Sequence, residues 1–187
     1  MNLARLLTGV IKTLGRSEDW PDHFDLSRKG LRLSFLALIF SVPAYYICAV
    51  AIQQHAAVFS GSPPVYPTAP FFLILGLYAL MFVVCAYIIC VVFDKMDLFR
   101  PWVITRHWAV FFAALLAAIF AGFYILGALP FTVLYFLWLI IYLGTLAIDI
   151  RLASKLGGFD WMAAIFTGCI ITAMGLTILM IGVSQLA

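Results

Sequence analysis

The chain alternates between long apolar runs and short polar segments, and this pattern predicts its architecture. Each run is near the ~20 residues that a helix needs to cross the hydrocarbon core, and none has the alternating polarity of a membrane β-barrel strand. The sequence therefore predicts an all-α, polytopic membrane protein built as a five-helix bundle. The predicted spans cover about 31–52, 69–92, 108–126, 131–150 and 161–183.

The first 30 residues have a different pattern and predict a cytoplasmic segment ahead of a transmembrane domain of residues 31–187. Apolar residues recur at helical spacing from Leu3 to Leu14, with basic residues on the opposite face. Such an amphipathic helix suits the headgroup layer of an anionic membrane leaflet, although packing on the ends of the bundle is an alternative. An acidic and aromatic linker follows. The predicted membrane-surface residues are Arg5, Lys12 and Arg16.

Composition and charge strengthen this interpretation. Two-thirds of the residues are apolar (66%) and 10% are charged, whereas soluble domains carry roughly a quarter charged residues. Every Lys and Arg lies before or at the opening of the first span, between the second and third, or between the fourth and fifth. The positive-inside rule therefore predicts a cytoplasmic N-terminus and a C-terminus outside. Because topology explains the net charge of +3, nucleic-acid binding is not predicted.

Small residues form ladders in two of the predicted spans. Alanines repeat every four residues in the third span, and glycines repeat every seven in the fifth. Small residues allow helix backbones to approach closely in lipid, so these positions predict helix packing, either inside one bundle or between subunits of a homo-oligomer. The residues are Ala113, Ala117, Ala121, Gly122, Gly168, Gly175 and Gly182.

Polar residues near the span ends give one candidate site. Asp149 lies in the last predicted turn of the fourth span, and Arg106 and His107 precede the third, so the three could cluster. The alternative is that these charges extend to water at the membrane surface. No catalytic, cofactor-binding or metal-ligating residue is predicted, because the hydrolase, zinc-protease and P-loop motifs are missing and the four cysteines form no C-x-x-C.

The segment from Arg106 to Gly182 resembles bacterial members of the Yip-domain (Ypt-interacting protein) family. The resemblance is carried by the Arg106-His107 start, the alanine-rich third span, the segment 126–130 and the tyrosines of the fourth span, Tyr135 and Tyr142. It implies a five-span integral protein of the bacterial inner membrane. It supplies no catalytic residue.

Three functional hypotheses follow. The first is a non-enzymatic scaffold or accessory protein that contacts lipids of the cytoplasmic leaflet and a membrane partner. The second is a small carrier or channel for a lipid or neutral solute, which predicts a water-accessible cavity that reaches either Asp149 or the kink expected at Pro43. The third is a membrane enzyme, which requires Asp94, Asp97, His107 and Asp149 to converge within hydrogen-bond reach at the cytoplasmic face.

Overall fold

A computed structural model describes residues 2–15, 17–64, 66 and 68–184 of the chain. The described part is helical and contains no strand, which confirms the predicted fold class. A short 3₁₀ turn, Trp20–His23, follows the first helix. The helices are α1 (Leu3–Leu14), α2 (Arg28–Ser60), α3 (Ala69–Val92), α4 (Met96–Ile125), α5 (Phe131–Gly157) and α6 (Trp161–Ser184).

Helices α2 to α6 are each long and apolar enough to cross a bilayer, so the chain is a multi-pass membrane protein. Two of them extend well beyond their apolar runs. Helix α2 continues through Pro43 to Ser60, and the kink predicted at this proline stays a prediction. Helix α4 begins at Met96 rather than near residue 108, so the charged residues ahead of the third apolar run belong to the helix itself.

The start of α2 depends on a cap and on a close backbone approach. The Ser27 hydroxyl accepts hydrogen bonds from the backbone N–H groups of Lys29 and Gly30, 3.2 Å away in each case. Such a cap satisfies N–H groups that have no partner in the first turn. A Cβ on Gly30 would lie 1.7 Å from the carbonyl oxygen of Asp25, so only glycine lets the linker turn this tightly into the helix.

Helix α4 is the centre of the bundle. It packs against α2, α3 and α5, and α6 packs against both α3 and α5. Helices α3, α4, α5 and α6 therefore form a closed ring of contacts, and α2 packs mainly against α4. Helix α1 packs on α4 and α5, so we call this end of the bundle the α1 end and the other the far end.

The predicted packing glycines have different surroundings. Gly168 lies directly against α5, since a Cβ there would come within 3.1 Å of the backbone nitrogen of Ile150. Gly175 lies against the Tyr78 ring of α3. Gly122 makes no close helix contact inside the bundle, because no other described atom lies within 4 Å of the position that its Cβ would take, and packing between subunits stays a prediction there. The surroundings of Gly182 lie outside the described residues.

The alanines of the predicted ladder in α4 also differ in their surroundings. Ala121 is fully buried beside Ala51 of α2 and Leu134 of α5. Ala113 and Ala117 are half-buried and line a cavity. The small residues therefore give close helix contact at some levels and leave open space at others.

Helix α1 combines the two arrangements that its sequence suggested. Leu6 and Val10 are buried in the main core with residues of the linker and of α4. A second apolar stripe on the same helix is exposed, which agrees with a helix that faces lipid. The stripe consists of Leu3, Leu7, Ile11 and Leu14.

The basic residues of α1 that the structure describes have partners within the protein. Lys12 forms an ion pair with the Asp19 carboxylate, and Arg5 donates to the backbone carbonyl of Asp22. Arg16, the third predicted membrane-surface residue, lies outside the described residues. Both described contacts are exposed, so they leave the predicted binding of lipid headgroups open.

Candidate functional site

A buried ion pair joins α4 to α5. The Arg106 Nε donates to Asp149 Oδ1 across 2.7 Å, and the two side chains are only 7% and 1% exposed. The alternative that these charges extend to water is therefore wrong for this pair. Burying two charges is costly unless they neutralise each other, so their geometry is strongly constrained.

The two charges meet because α4 and α5 form a hairpin. Arg106 stands 19 residues before the end of α4 at Ile125, and Asp149 stands 18 residues after the start of α5 at Phe131. At ~1.5 Å per residue, both lie about 28 Å from the far end of the bundle. A hydrocarbon core of ~30 Å measured from that end would place the pair just inside its other boundary.

Aromatic side chains surround the pair. The Arg106 guanidinium carbon lies 4.0 Å from the centre of the Phe82 ring, a favourable cation–π arrangement. The Tyr78 hydroxyl also interacts with this guanidinium. The second carboxylate oxygen of Asp149 is buried and has no hydrogen-bond partner among the described residues.

His107 points to a different helix from its neighbour Arg106. Its Nδ1 lies 3.0 Å from the Ser34 hydroxyl of α2, and its ring packs edge-on against Phe35. This contact fixes the level of α2 relative to α4. The predicted cluster is therefore split, since Asp149 faces Arg106 while His107 faces Ser34.

The enzyme hypothesis required four residues to converge, and the geometry contradicts that arrangement. Asp94 and Asp97 are exposed near the connection between α3 and α4, whereas His107 and Asp149 are buried with separate partners. Within the described ranges, no group of three His, Cys, Asp or Glu residues could hold a metal ion.

A cavity of about 250 Å³ lies among all five long helices. Its floor is close to the ion pair, because Val110 and Thr145 are each one helical turn from the paired residues on the side of the far end. Its walls are mainly apolar. The polar side chains in them include Tyr45, Tyr78, Trp138, Tyr142 and Thr145.

Several of these polar groups already have partners within the bundle. The Trp138 indole donates to the carbonyl oxygen of Ala117 at 3.1 Å, and the Tyr142 hydroxyl donates to that of Thr172 at 2.7 Å. The Thr145 hydroxyl donates to the carbonyl oxygen of Tyr142 at 2.7 Å. The cavity therefore presents apolar surface, with few free hydrogen-bonding groups for an occupant.

A second space of about 340 Å³ lies between α2 and α3, and we call it the α2–α3 groove. Four residues line both the groove and the cavity, so the two spaces adjoin: Tyr45, Leu75, Tyr78 and Val110. Closer to the far end, α2 and α3 touch through side chains, including Ala49 against Phe71 and Leu75. The gap thus lies on the α1 side of this contact.

Comparisons with protein-family models, with curated proteins and with solved structures found no match to this chain. The resemblance to Yip-domain proteins therefore stays a prediction. The site has to be interpreted from its own geometry.

Proposed function

We propose that this protein binds the apolar chain of a membrane amphiphile, which enters the bundle from the bilayer between α2 and α3. The observation that carries the proposal is that the α2–α3 groove adjoins the cavity, with four residues lining both spaces. This is the carrier hypothesis of the sequence, with a lipid as the favoured cargo. The protein need not perform chemistry on the cargo.

The chemistry of the walls supports an apolar occupant over a polar solute. The hydrogen-bonding groups of Trp138, Tyr142 and Thr145 are engaged with neighbouring residues. A polar solute would lose its hydration without gaining equivalent hydrogen bonds, at a cost of roughly 1–3 kcal/mol for each unpaired group. A hydrocarbon chain carries no such cost and gains from burial of its surface.

We place the α1 end in the cytoplasm, because the Lys and Arg residues lie at that end of the helices. A bacterial inner membrane is the location that agrees with the Yip-domain resemblance. Under this orientation, the α2–α3 groove opens towards the cytoplasmic leaflet.

The proposal can be tested by filling the cavity. Ala117→Phe adds a ring to the cavity wall, whereas Leu116→Phe adds bulk at an exposed position one residue away and serves as the matched control. In native membranes fed a photoactivatable fatty acid, we expect crosslinks to cavity residues in the wild type and the control. Ala117→Phe should reduce them at least severalfold. Equal labelling of all three proteins at these residues would refute a chain-binding cavity.

A second candidate, the membrane scaffold, is favoured by the exposed stripe on α1. A helix with such a stripe at the level of the headgroups can insert apolar side chains into the leaflet. Reversing the charge of Arg5, Lys12 and Arg16 tests the electrostatic part of this role. Unchanged binding of anionic vesicles by that variant would exclude it.

A further inference from the structure

Beyond the cytoplasmic end of the α2–α3 groove, α2 carries two exposed arginines, Arg28 and Arg32, that have no role in the fold described so far. We infer that the occupant of the groove is an anionic phospholipid of the cytoplasmic leaflet, with its phosphate bound by Arg28 and Arg32. This inference rests on the proposed function, because it identifies the amphiphile whose chain the cavity receives.

The arginines lie on the side of α2 that faces the groove. The residues of α2 that line the groove recur at helical spacing over almost three turns: Phe35, Leu38, Ile39, Val42 and Tyr45. At about 100° per residue, Arg28 lies about 45° from the centre of the groove-lining face and Arg32 about 85° from it, so Arg28 shares this face and Arg32 borders it. Lys29 lies about 145° from the same centre, on the other side of the helix.

The depth of the arginines matches a phosphate layer. The contact between Ser34 and His107 fixes the level of α2 beside the buried ion pair. From Ser34, Arg32 lies about 3 Å and Arg28 about 9 Å further towards the cytoplasm, at ~1.5 Å per residue. The groove runs from Phe35 in the opposite direction, to Tyr45. A lipid there would have its headgroup at the arginines and its chain in the groove.

The charges at this position are free to bind an anion. Arg28 and Arg32 are exposed, and neither forms an ion pair with a described carboxylate. Lys29, in contrast, interacts with the nearby carboxylate of Asp25. Guanidinium groups bind phosphate oxygens through paired hydrogen bonds. Both kinds of headgroup carry a phosphate, but a zwitterionic one adds a positive choline that two arginines one helical turn apart repel, so the site favours an anionic headgroup.

The test compares two lipids that have the same chains. The full-length protein is titrated with phosphatidylglycerol or phosphatidylcholine and examined by native mass spectrometry. We expect the wild type to bind phosphatidylglycerol about tenfold more tightly, which is the effect of roughly one charge-assisted hydrogen bond. The double variant Arg28→Gln/Arg32→Gln should bring the ratio close to one. Lys29→Gln removes one positive charge from another face and should preserve the ratio within about twofold.

The outcomes separate this inference from the proposed function. Loss of selectivity in the double variant, with retained photolabelling of the cavity, supports both. If the wild type binds the two lipids equally but its cavity is still photolabelled, only the headgroup assignment is overturned. Equal loss of selectivity in Lys29→Gln also overturns it, since a general charge effect would then suffice. Absence of cavity labelling in the wild type overturns the proposed function itself.

Discussion

The two halves of α4 are packed in opposite ways. Towards the α1 end, ten consecutive residues from Trp102 to Phe111 are buried, and they include Arg106 and His107. Towards the far end, buried and half-buried positions alternate with exposed ones, and Ala113 and Ala117 line the cavity. One helix thus holds the bundle together in one half and leaves room for an occupant in the other. The comparison teaches that the tightly packed half of α4 is the half that contains its buried polar and bulky side chains.

The largest expected effect comes from breaking the buried pair. Asp149→Ala leaves the Arg106 charge buried without its partner, which typically costs about 3–5 kcal/mol. We expect a correspondingly lower free energy of unfolding for the purified protein in detergent, measured by denaturant titration.

The matched control removes both charges. Arg106→Met combined with Asp149→Leu keeps similar side-chain volumes, so it should cost far less than the single change. If the double variant is as unstable as Asp149→Ala, the stability is lost through packing and not through an unpaired charge. That result would contradict the view that the ion pair distinguishes the tightly packed half of α4 from the other half.

A smaller effect is expected where α6 meets α5. Gly168→Ala forces Ile150 to move, because the new Cβ would lie 2.5 Å from its Cγ1 and 3.1 Å from its backbone nitrogen. Overpacking of this kind costs about 1–3 kcal/mol. Gly122→Ala, which faces open space, should be neutral or gain up to about 1 kcal/mol from helix propensity. Thermal unfolding of the two variants checks the difference, and equal melting temperatures would contradict it.

The smallest effect concerns the exposed contact between Lys12 and Asp19. The hydrogen bond from Lys12, followed by that from Ser17, lowers the pKa of Asp19 from 3.8 to about 2. Because the pKa is lowered in the folded state, the contact is present above pH 4 and is lost as the pH falls towards 2. In Lys12→Gln, the Asp19 pKa should return towards 3.8, as followed by NMR of the carboxyl carbon. An unchanged titration would place the cause elsewhere, for example in Ser17.

The apolar pattern predicts the helices well where no charge interrupts it. The observed bounds of α3, 69–92, match the apolar run, and α5 and α6 begin where their runs begin. The start of α4 was missed because the residues between Lys95 and His107 break the run. Hydropathy counts a charged residue as polar even when a partner on another helix neutralises it, as Asp149 does for Arg106. It therefore ends the predicted span before the helix itself ends.

The buried pair belongs to the cluster that the sequence suggested, and spacing alone supports it. The predicted third and fourth spans are separated by about four residues, which forces an antiparallel hairpin, and Arg106 and Asp149 are nearly equidistant from this link. The cavity could not be anticipated. Alanines at positions 113 and 117 are equally consistent with a close helix contact, and only the positions of α2 and α3 decide between contact and empty space.

The short connection between α4 and α5 has a kinetic consequence. The link between α4 and α5 has five residues, 126–130, and the links 93–95 and 158–160 have three each, whereas the link 61–68 between α2 and α3 has eight. Because loop-closure entropy rises with loop length, the three helical hairpins with short links are the cheaper ones to close. We expect them to form early during folding, and the α4–α5 hairpin to neutralise its opposite charges before α2 docks. Helix α2, which precedes this hairpin in the chain, would then join a surface that is already assembled.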